Sequence, residues 1–260
     1  MKDRTPMNGD RLIGAMALGA SVVVFSASVE SFQKPPDVEA VLDHLDDLYR
    51  SDSSVSRMEI RVEGRRGTRT LRMKAWTRGE EEVLVVIEEP PREAGTATLR
   101  VGDNLWNYLP RIARTIRVPP AMMLGSWMGT DFTNDDLVKE SSLRKDFVSR
   151  VERRSDDPKG WWLTLDVKPD VVGRWAKIEI LISDDWLPIE ERHFDRKGRL
   201  ARTLRFDEVK TLGGRRLPVR MVLTPTDVEG QSTELRYLEI EFDVPIADDT
   251  FSLSRLERTP

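Results

Sequence analysis

Chemistry has few places to reside in this chain. Its two histidines are far apart, His44 on the polar side of a helical pattern and His193 beside Phe194 in a strand pattern, and no metal-ligand spacing joins them. With no cysteine there is no thiol nucleophile, and no G-x-S-x-G, H-E-x-x-H or glycine-rich phosphate loop occurs. Asp131, Asp135 and Asp136 invite a calcium or acid–base reading. Their spacing lacks the central glycine and closing glutamate of an EF-hand, and Asn134-Asp135-Asp136 is what a loop or helix start commonly holds. These features point away from an enzyme and call for no cofactor or metal.

Binding chemistry is better represented. Between Asp103 and Val138, Trp106, Tyr108, Met122, Met123, Leu124, Trp127 and Met128 put more soft and aromatic surface than a connector needs. The spacing predicts extended pieces over Asn104 to Leu109 and Thr115 to Val118, then a short apolar helix from Ala121 to Met128. Pro119-Pro120 suits its start and Gly129 its end. Such a helix serves equally as a core plug or as a lid over a ligand, and a plug that lifts is a lid.

The elements that must position this segment are mostly strands. After Pro35-Pro36, Asp37 can cap a helix whose apolar stripe is Val38, Val41, Leu42, Leu45, Leu48 and Tyr49. From Ser53 the period becomes two. Met58, Ile60 and Val62 form a hairpin with Leu71, Met73 and Ala75 across a Gly64-to-Gly67 turn, and Val83 to Ile87 and Thr96 to Val101 continue the pattern. Beyond the central segment lie seven further strands: 147–153, 161–167, 175–182, 189–194, 199–209, 217–223 and 234–242. Turn residues such as Asp195-Arg196-Lys197-Gly198 and Gly213-Gly214 separate them. Leu238, Ile240 and Phe242 are expected to share one face, and the closing residues 246–257 to form a terminal strand or turn.

Eleven to thirteen strands joined by short turns make an antiparallel sheet, and a sheet of that size curls. A transmembrane barrel is excluded on its outward face, where Arg72, Lys74, Lys177 and Glu179 stand in place of an apolar band. The charged face is therefore expected outside and the apolar face inside. By alternation, Met73, Ile180, Met221 and Ile240 are the expected cavity wall.

At the N-terminus, basic residues up to Arg11, the uncharged run Leu12 to Phe25 and the small residues Ser26 to Ser28 read as a signal peptide over residues 1–28, with an uncleaved anchor as the alternative. About 14 apolar positions fall short of the roughly 20 that a membrane span needs. Residues 29–260 are read as one domain. Removing residues 1–28 takes away three basic and two acidic residues, so the net charge passes from −4 to −5. That scattered acidity argues against nucleic acid as a partner. An exported chain without disulfides suits the bacterial periplasm.

The run NLWNYLPRIARTIRVPPAMMLGSWMGTDFTNDDLVKESS, residues 104–142, and DEVKTLGGRRLPVRMVL, residues 207–223, carry a resemblance. They resemble the outer-membrane lipoprotein-sorting protein family, which is similar to the periplasmic lipoprotein carrier of the Lol pathway. The resemblance covers the chain from about residue 37 to its end. It implies a mainly β fold with helices: one curled antiparallel sheet forming an unclosed β-barrel of about eleven strands, with helices covering the hollow. It also implies acyl-chain binding inside, a lid role for the Ala121 to Met128 helix, and the family's aromatic strand at Asn104 to Leu109. As partner it implies an inner-membrane transporter of the resistance-nodulation-division type, met in transient contact by a monomer.

Two functions follow as expectations. The first is a periplasmic carrier that shuttles acyl chains of lipoproteins or other lipids towards the outer membrane without covalent chemistry. Withdrawing a chain of roughly 14 carbons from a membrane costs on the order of 10 kcal/mol, which about 400 Å² of apolar wall would return. The second is a sensor or adaptor binding a transporter or regulatory protein. A continuous apolar hollow favours the first, and an interior filled by its own side chains the second.

Overall fold

In the computed structural model the strands form one continuous ladder. The structure describes residues 34–49, 51–65, 67–139, 143–171 and 173–258, so the signal-peptide reading lies outside it. Residues 35–260 cluster as one compact unit.

The chain begins with α1 (Val38–Asp47), capped by Asp37, whose carboxylate accepts from the Glu39 N–H at 3.1 Å. Six strands follow: β1 (Ser53–Gly64), β2 (Gly67–Arg78), β3 (Glu82–Glu89), β4 (Ala97–Val101), β5 (Asn104–Leu109) and β6 (Arg114–Arg117). Two short helices come next, α2 (Asn134–Lys139) and α3 (Leu143–Asp146). Then come β7 (Phe147–Asp156), β8 (Lys159–Val167), β9 (Trp175–Ile182), β10 (Pro188–Asp195), β11 (Leu200–Leu212), β12 (Arg215–Pro225) and β13 (Ser232–Phe242), with α4 (Leu253–Glu257) at the end.

All thirteen strands form a single antiparallel sheet in the order β6-β5-β4-β3-β2-β1-β13-β12-β11-β10-β9-β8-β7. The strand count is thirteen rather than the eleven implied by family resemblance. Among the described residues nothing pairs β6 with β7, so the sheet does not close into a barrel. These two edges are consecutive in sequence, and the described residues between them, 118–139 and 143–146, form a strap.

Alternation assigns the two faces. Met58, Ile60, Met73, Ala75, Val85 and Ile87 cluster on the inner face of β1–β3. Leu163, Leu165, Ile178, Ile180 and Ile182 do the same on β8 and β9, where Val41 and Leu42 of α1 pack on them. The continuous apolar run in β3 has a clear cause. Val85 and Ile87 point inward, while Leu84 and Val86 join Ala97 and Leu99 on the outer face beneath Phe251 and Leu256.

Four expectations need correction. Of the terminal strand or turn expected over residues 246–257 the strand does not form: a 3-10 turn at Asp248–Phe251 leads into α4, which Ser252 caps by accepting from the Arg255 N–H at 3.1 Å. They are helical because they must lay Phe251 and Leu256 on that outer apolar patch. The expected shared face of Leu238, Ile240 and Phe242 is broken by a register shift opposite Arg57/Met58. Leu238 is 42% exposed while Ile240 is buried. The charged-outside rule fails at both ends, since the outer face of β3–β5 carries this apolar patch and the inner face carries buried Arg202 and His193.

The fourth concerns the Ala121 to Met128 helix. Only one 3-10 turn forms, at Pro120–Met122, followed by turns and an isolated bridge between Ser126 and Thr133. Gly125 packs so closely that a Cβ there would lie 3.0 Å from the Met122 carbonyl. The Asn134 side-chain amide donates to the Met122 and Gly125 carbonyls at 3.1 and 3.3 Å, taking acceptors that a helix would need. Met128 and Gly129 both have left-handed φ, 51° and 72°, which ends any helical path.

Candidate functional site

Between the inner face and the strap lies a hollow of about 290 Å³. Its apolar side is built by Met58, Ile60, Met73, Val85, Met221 and Leu235, with Trp127 and Phe132 contributed by the strap. Its polar side is formed by Glu191, His193 and Arg202 from β10 and β11, and by Asp135 and Asp136 from α2. The site is amphiphilic, and the strap contributes to both sides.

Three anchors hold the strap. Trp127 is 4% exposed, and its indole Nε1–H donates to Thr98 Oγ1 at 3.0 Å, which in turn donates to Asn107 Oδ1 at 2.8 Å. Asp131 accepts from Thr233 Oγ1 at 2.7 Å and from the Gln231 amide, tying the strap to β13. Asp136 makes two parallel bonds with the Arg202 guanidinium at 2.7 and 2.8 Å. Arg100 of β4 adds a bond to the Leu137 carbonyl at 3.1 Å. Adjacent residues of α2 are thus tied to β4 and to β11.

Asp136 serves twice. Its carboxylate accepts from the Thr133 N–H at 2.7 Å while Thr133 Oγ1 accepts from the Asp136 N–H at 3.2 Å, the reciprocal pair of a capping box. Burial disfavours its charge, but the facing Arg202 and the Thr133 N–H outweigh that and hold the carboxyl below the usual carboxylate range. Arg202 is itself buried. Among the described residues its Nε has no hydrogen-bond partner, and its cation lies 4.5 Å from the centre of the Trp175 ring.

His193 completes the group. Its Nδ1 faces an Arg202 N–H at 3.4 Å and its Nε2 faces the Glu191 carboxylate at 3.0 Å. Because arginine can only donate, Nδ1 is the acceptor and Nε2 carries the proton. Trp175 meets the imidazole edge-on at 5.0 Å. Burial first, then Arg202, push the imidazole pKa down, against the pull of Glu191 and Asp136. His193 is therefore a neutral bridge between two charges.

The residues singled out from sequence are dispersed. Met73, Met221 and Trp127 line the hollow. Ile180 lies instead in the cluster under α1, and Ile240 is buried beside Gly213. Trp106 and Tyr108 pack on the outer face against the Phe251 and Leu256 cluster. Met122 and Leu124 are 61% and 52% exposed, and Met123 is half-buried. Met128 packs against the β1–β3 cluster, and its carbonyl accepts from Arg69 at 2.7 Å. Arg202, Glu191 and Trp175 were not singled out, and His193 and Asp136 were read as ordinary structural residues. The signal for Arg202 was parity, since it shares a face with Leu204 and Phe206.

This fold is shared by solved proteins. A DUF1329 family protein from Desulfovibrio piger superposes with a TM-score of 0.76 at 20% identity, over 85% of this chain and 100% of that one. A LolA superfamily protein from Nitrosomonas europaea gives 0.71 at 20% identity, with the same coverage. A domain assigned as an outer membrane lipoprotein-sorting protein, from Vibrio parahaemolyticus, gives 0.69 at 21%, again over 85% and 100%. A family model described as "Uncharacterized protein" matches residues 79–258, more than half the chain. The chain belongs to the family of that model, and it shares its fold with LolA superfamily and lipoprotein-sorting domain proteins. No curated protein matches its sequence. The matched span runs from the end of β2 to α4, and so includes the whole strap and the Asp136–Arg202 pair.

Proposed function

We propose that this protein is a non-enzymatic periplasmic carrier. It binds acyl chains of lipoproteins or other lipids in the hollow and shuttles them towards the outer membrane, with α1, α2 and the strap covering the hollow. Cargo passes from donor to carrier to acceptor by differences in affinity alone. A transporter of the resistance-nodulation-division type is the proposed donor.

The observation that carries this reading is the hollow itself. An adaptor would fill its interior with its own side chains, whereas here Met58, Ile60, Met73 and Met221 line a hollow of about 290 Å³. That volume is at the lower end of the roughly 300–1,000 Å³ common for small-ligand sites. It suits one chain with the strap down. A larger cargo requires the strap to move, and Trp127 is its deepest anchor. Access control is therefore assigned to Trp127, and the binding energy to the strand residues Met73 and Met221.

The test is lipid extraction from protein purified out of its native envelope, followed by mass analysis. Stoichiometric lipid bearing one or more acyl chains supports the carrier. Protein that arrives empty and takes up no lipid on incubation with phospholipid or acylated peptide contradicts it.

A further inference from the structure

The end of the β5–β6 hairpin and the first part of the strap have a composition unlike the rest of the surface. Residues 104–130 contain no Asp or Glu, in a chain that has 45 of them, and they include Arg111, Arg114 and Arg117. All three arginines are exposed, and among the described residues none reaches a carboxylate; Arg117 donates only to the Asn104 side-chain carbonyl. Elsewhere arginines are mostly paired, as with Arg72 to Glu59, Arg220 to Glu234 and Arg236 to Glu208.

The same stretch exposes apolar side chains. Ile112 is 57% exposed, Ile116 46%, Met122 61% and Leu124 52%. Isolated exposed apolar residues need no explanation. Four within thirteen residues, interleaved with unpaired arginines on an edge strand and the turn after it, are a different matter.

We infer that this surface, Arg111 to Leu124, docks the protein on an anionic lipid bilayer. The arginines meet lipid phosphates, and Ile112, Ile116, Met122 and Leu124 enter the boundary between head groups and acyl chains. Charge complementarity selects this occupant: an acidic protein groove would satisfy the arginines but would not need four protruding apolar tips, and a second copy of this segment would set three arginines against three, with only the Glu257 carboxylate of α4, held by Thr115 Oγ1 at 2.8 Å, beside them. Docking here would set the strap, which leads directly to Trp127, against the membrane that gives or receives cargo.

The absence of native cysteine permits a direct test on the full chain. Met122→Cys and, as a remote control, Glu229→Cys each carry an environment-sensitive fluorophore. They are titrated with phosphatidylcholine vesicles with or without phosphatidylglycerol. The expected result is a blue shift at position 122 alone, only with phosphatidylglycerol, with affinity falling about a hundredfold in an Arg111→Gln/Arg114→Gln/Arg117→Gln background if each arginine acts fully. No shift at 122, an equal shift on neutral vesicles, or unchanged affinity in the triple variant overturns the inference. So does a shift that depends on protein concentration without vesicles, which would mark the surface as a contact between copies. Circular dichroism of the triple variant verifies that folding is intact.

Discussion

Asp136 and Arg202, 66 residues apart, meet in a bidentate pair at 2.7 and 2.8 Å that joins α2 to β11 across the hollow. It is the most buried carboxylate–guanidinium contact on the strap, with side chains 17% and 7% exposed. Breaking a buried pair by removing one partner leaves the other charge uncompensated, at a cost of about 3–5 kcal/mol. Arg202→Met and Asp136→Asn are each expected to lose stability of this order in urea denaturation. The double variant should lose clearly less than the sum of the two. Strict additivity would show that the pair does not hold the strap.

His193 should make stability depend on pH. Its folded pKa is depressed by burial and by Arg202, so the unfolded chain binds a proton more readily. The unfolded state binds more protons as pH falls through about 6.5, and stability must then fall, by at most about 1.4 kcal/mol per pH unit. Asp136 is also depressed, and its contribution is present above about pH 3.9 and lost only at lower pH. Thermal unfolding between pH 7.5 and 5 should show the His193 slope, and His193→Gln should flatten it. A slope unchanged in that variant would assign the effect elsewhere.

Trp127 is expected to control both stability and access. Trp127→Ala removes a buried indole and should cost about 3–5 kcal/mol. Trp127→Phe loses the bond to Thr98, about 1 kcal/mol, and part of the buried ring volume, but keeps a six-membered aromatic ring in the site. Stopped-flow release of a fluorescent fatty acid should therefore be much faster in the alanine variant than in the phenylalanine variant. Equal release rates would deny Trp127 a gating role.

Much of this architecture was legible because strands with period two and short turns leave little freedom, and alternation puts Met73 and Met221 on the inner face, where both line the hollow. It failed where a single residue shifts the register, as at Leu238, and where an apolar run covers both faces, as in β3. The strap was misread because Pro119-Pro120 and Gly129 frame a helix that Gly125 and the Asn134 amide prevent. Its aromatic and methionine content also misled. Trp106 and Tyr108 face the opposite side of the sheet from Trp127, a separation fixed by pairing between β4 and β5. The polar side of the hollow was missed because its members, at 135, 136, 191, 193 and 202, converge only in three dimensions.

Those placements yield a contrast between neighbouring residues. Met122→Ser and Leu124→Ser lie on the exposed side of the strap and should change stability by no more than about 0.5 kcal/mol. They should leave lipid affinity within the hollow unchanged. Isothermal titration with a soluble short-chain lipid measures this, and a large loss would return these side chains to the binding site.

The most direct test of carriage is to fill the hollow. Met73→Trp and Met221→Trp, combined, place two indoles into a space of about 290 Å³ while leaving the outer face untouched. Native mass spectrometry after incubation with phospholipid should show lipid bound to the unaltered protein and none to the filled variant, with the β-sheet circular dichroism of both alike. Equal lipid occupancy in a correctly folded filled variant would contradict the claim that the hollow is where cargo binds.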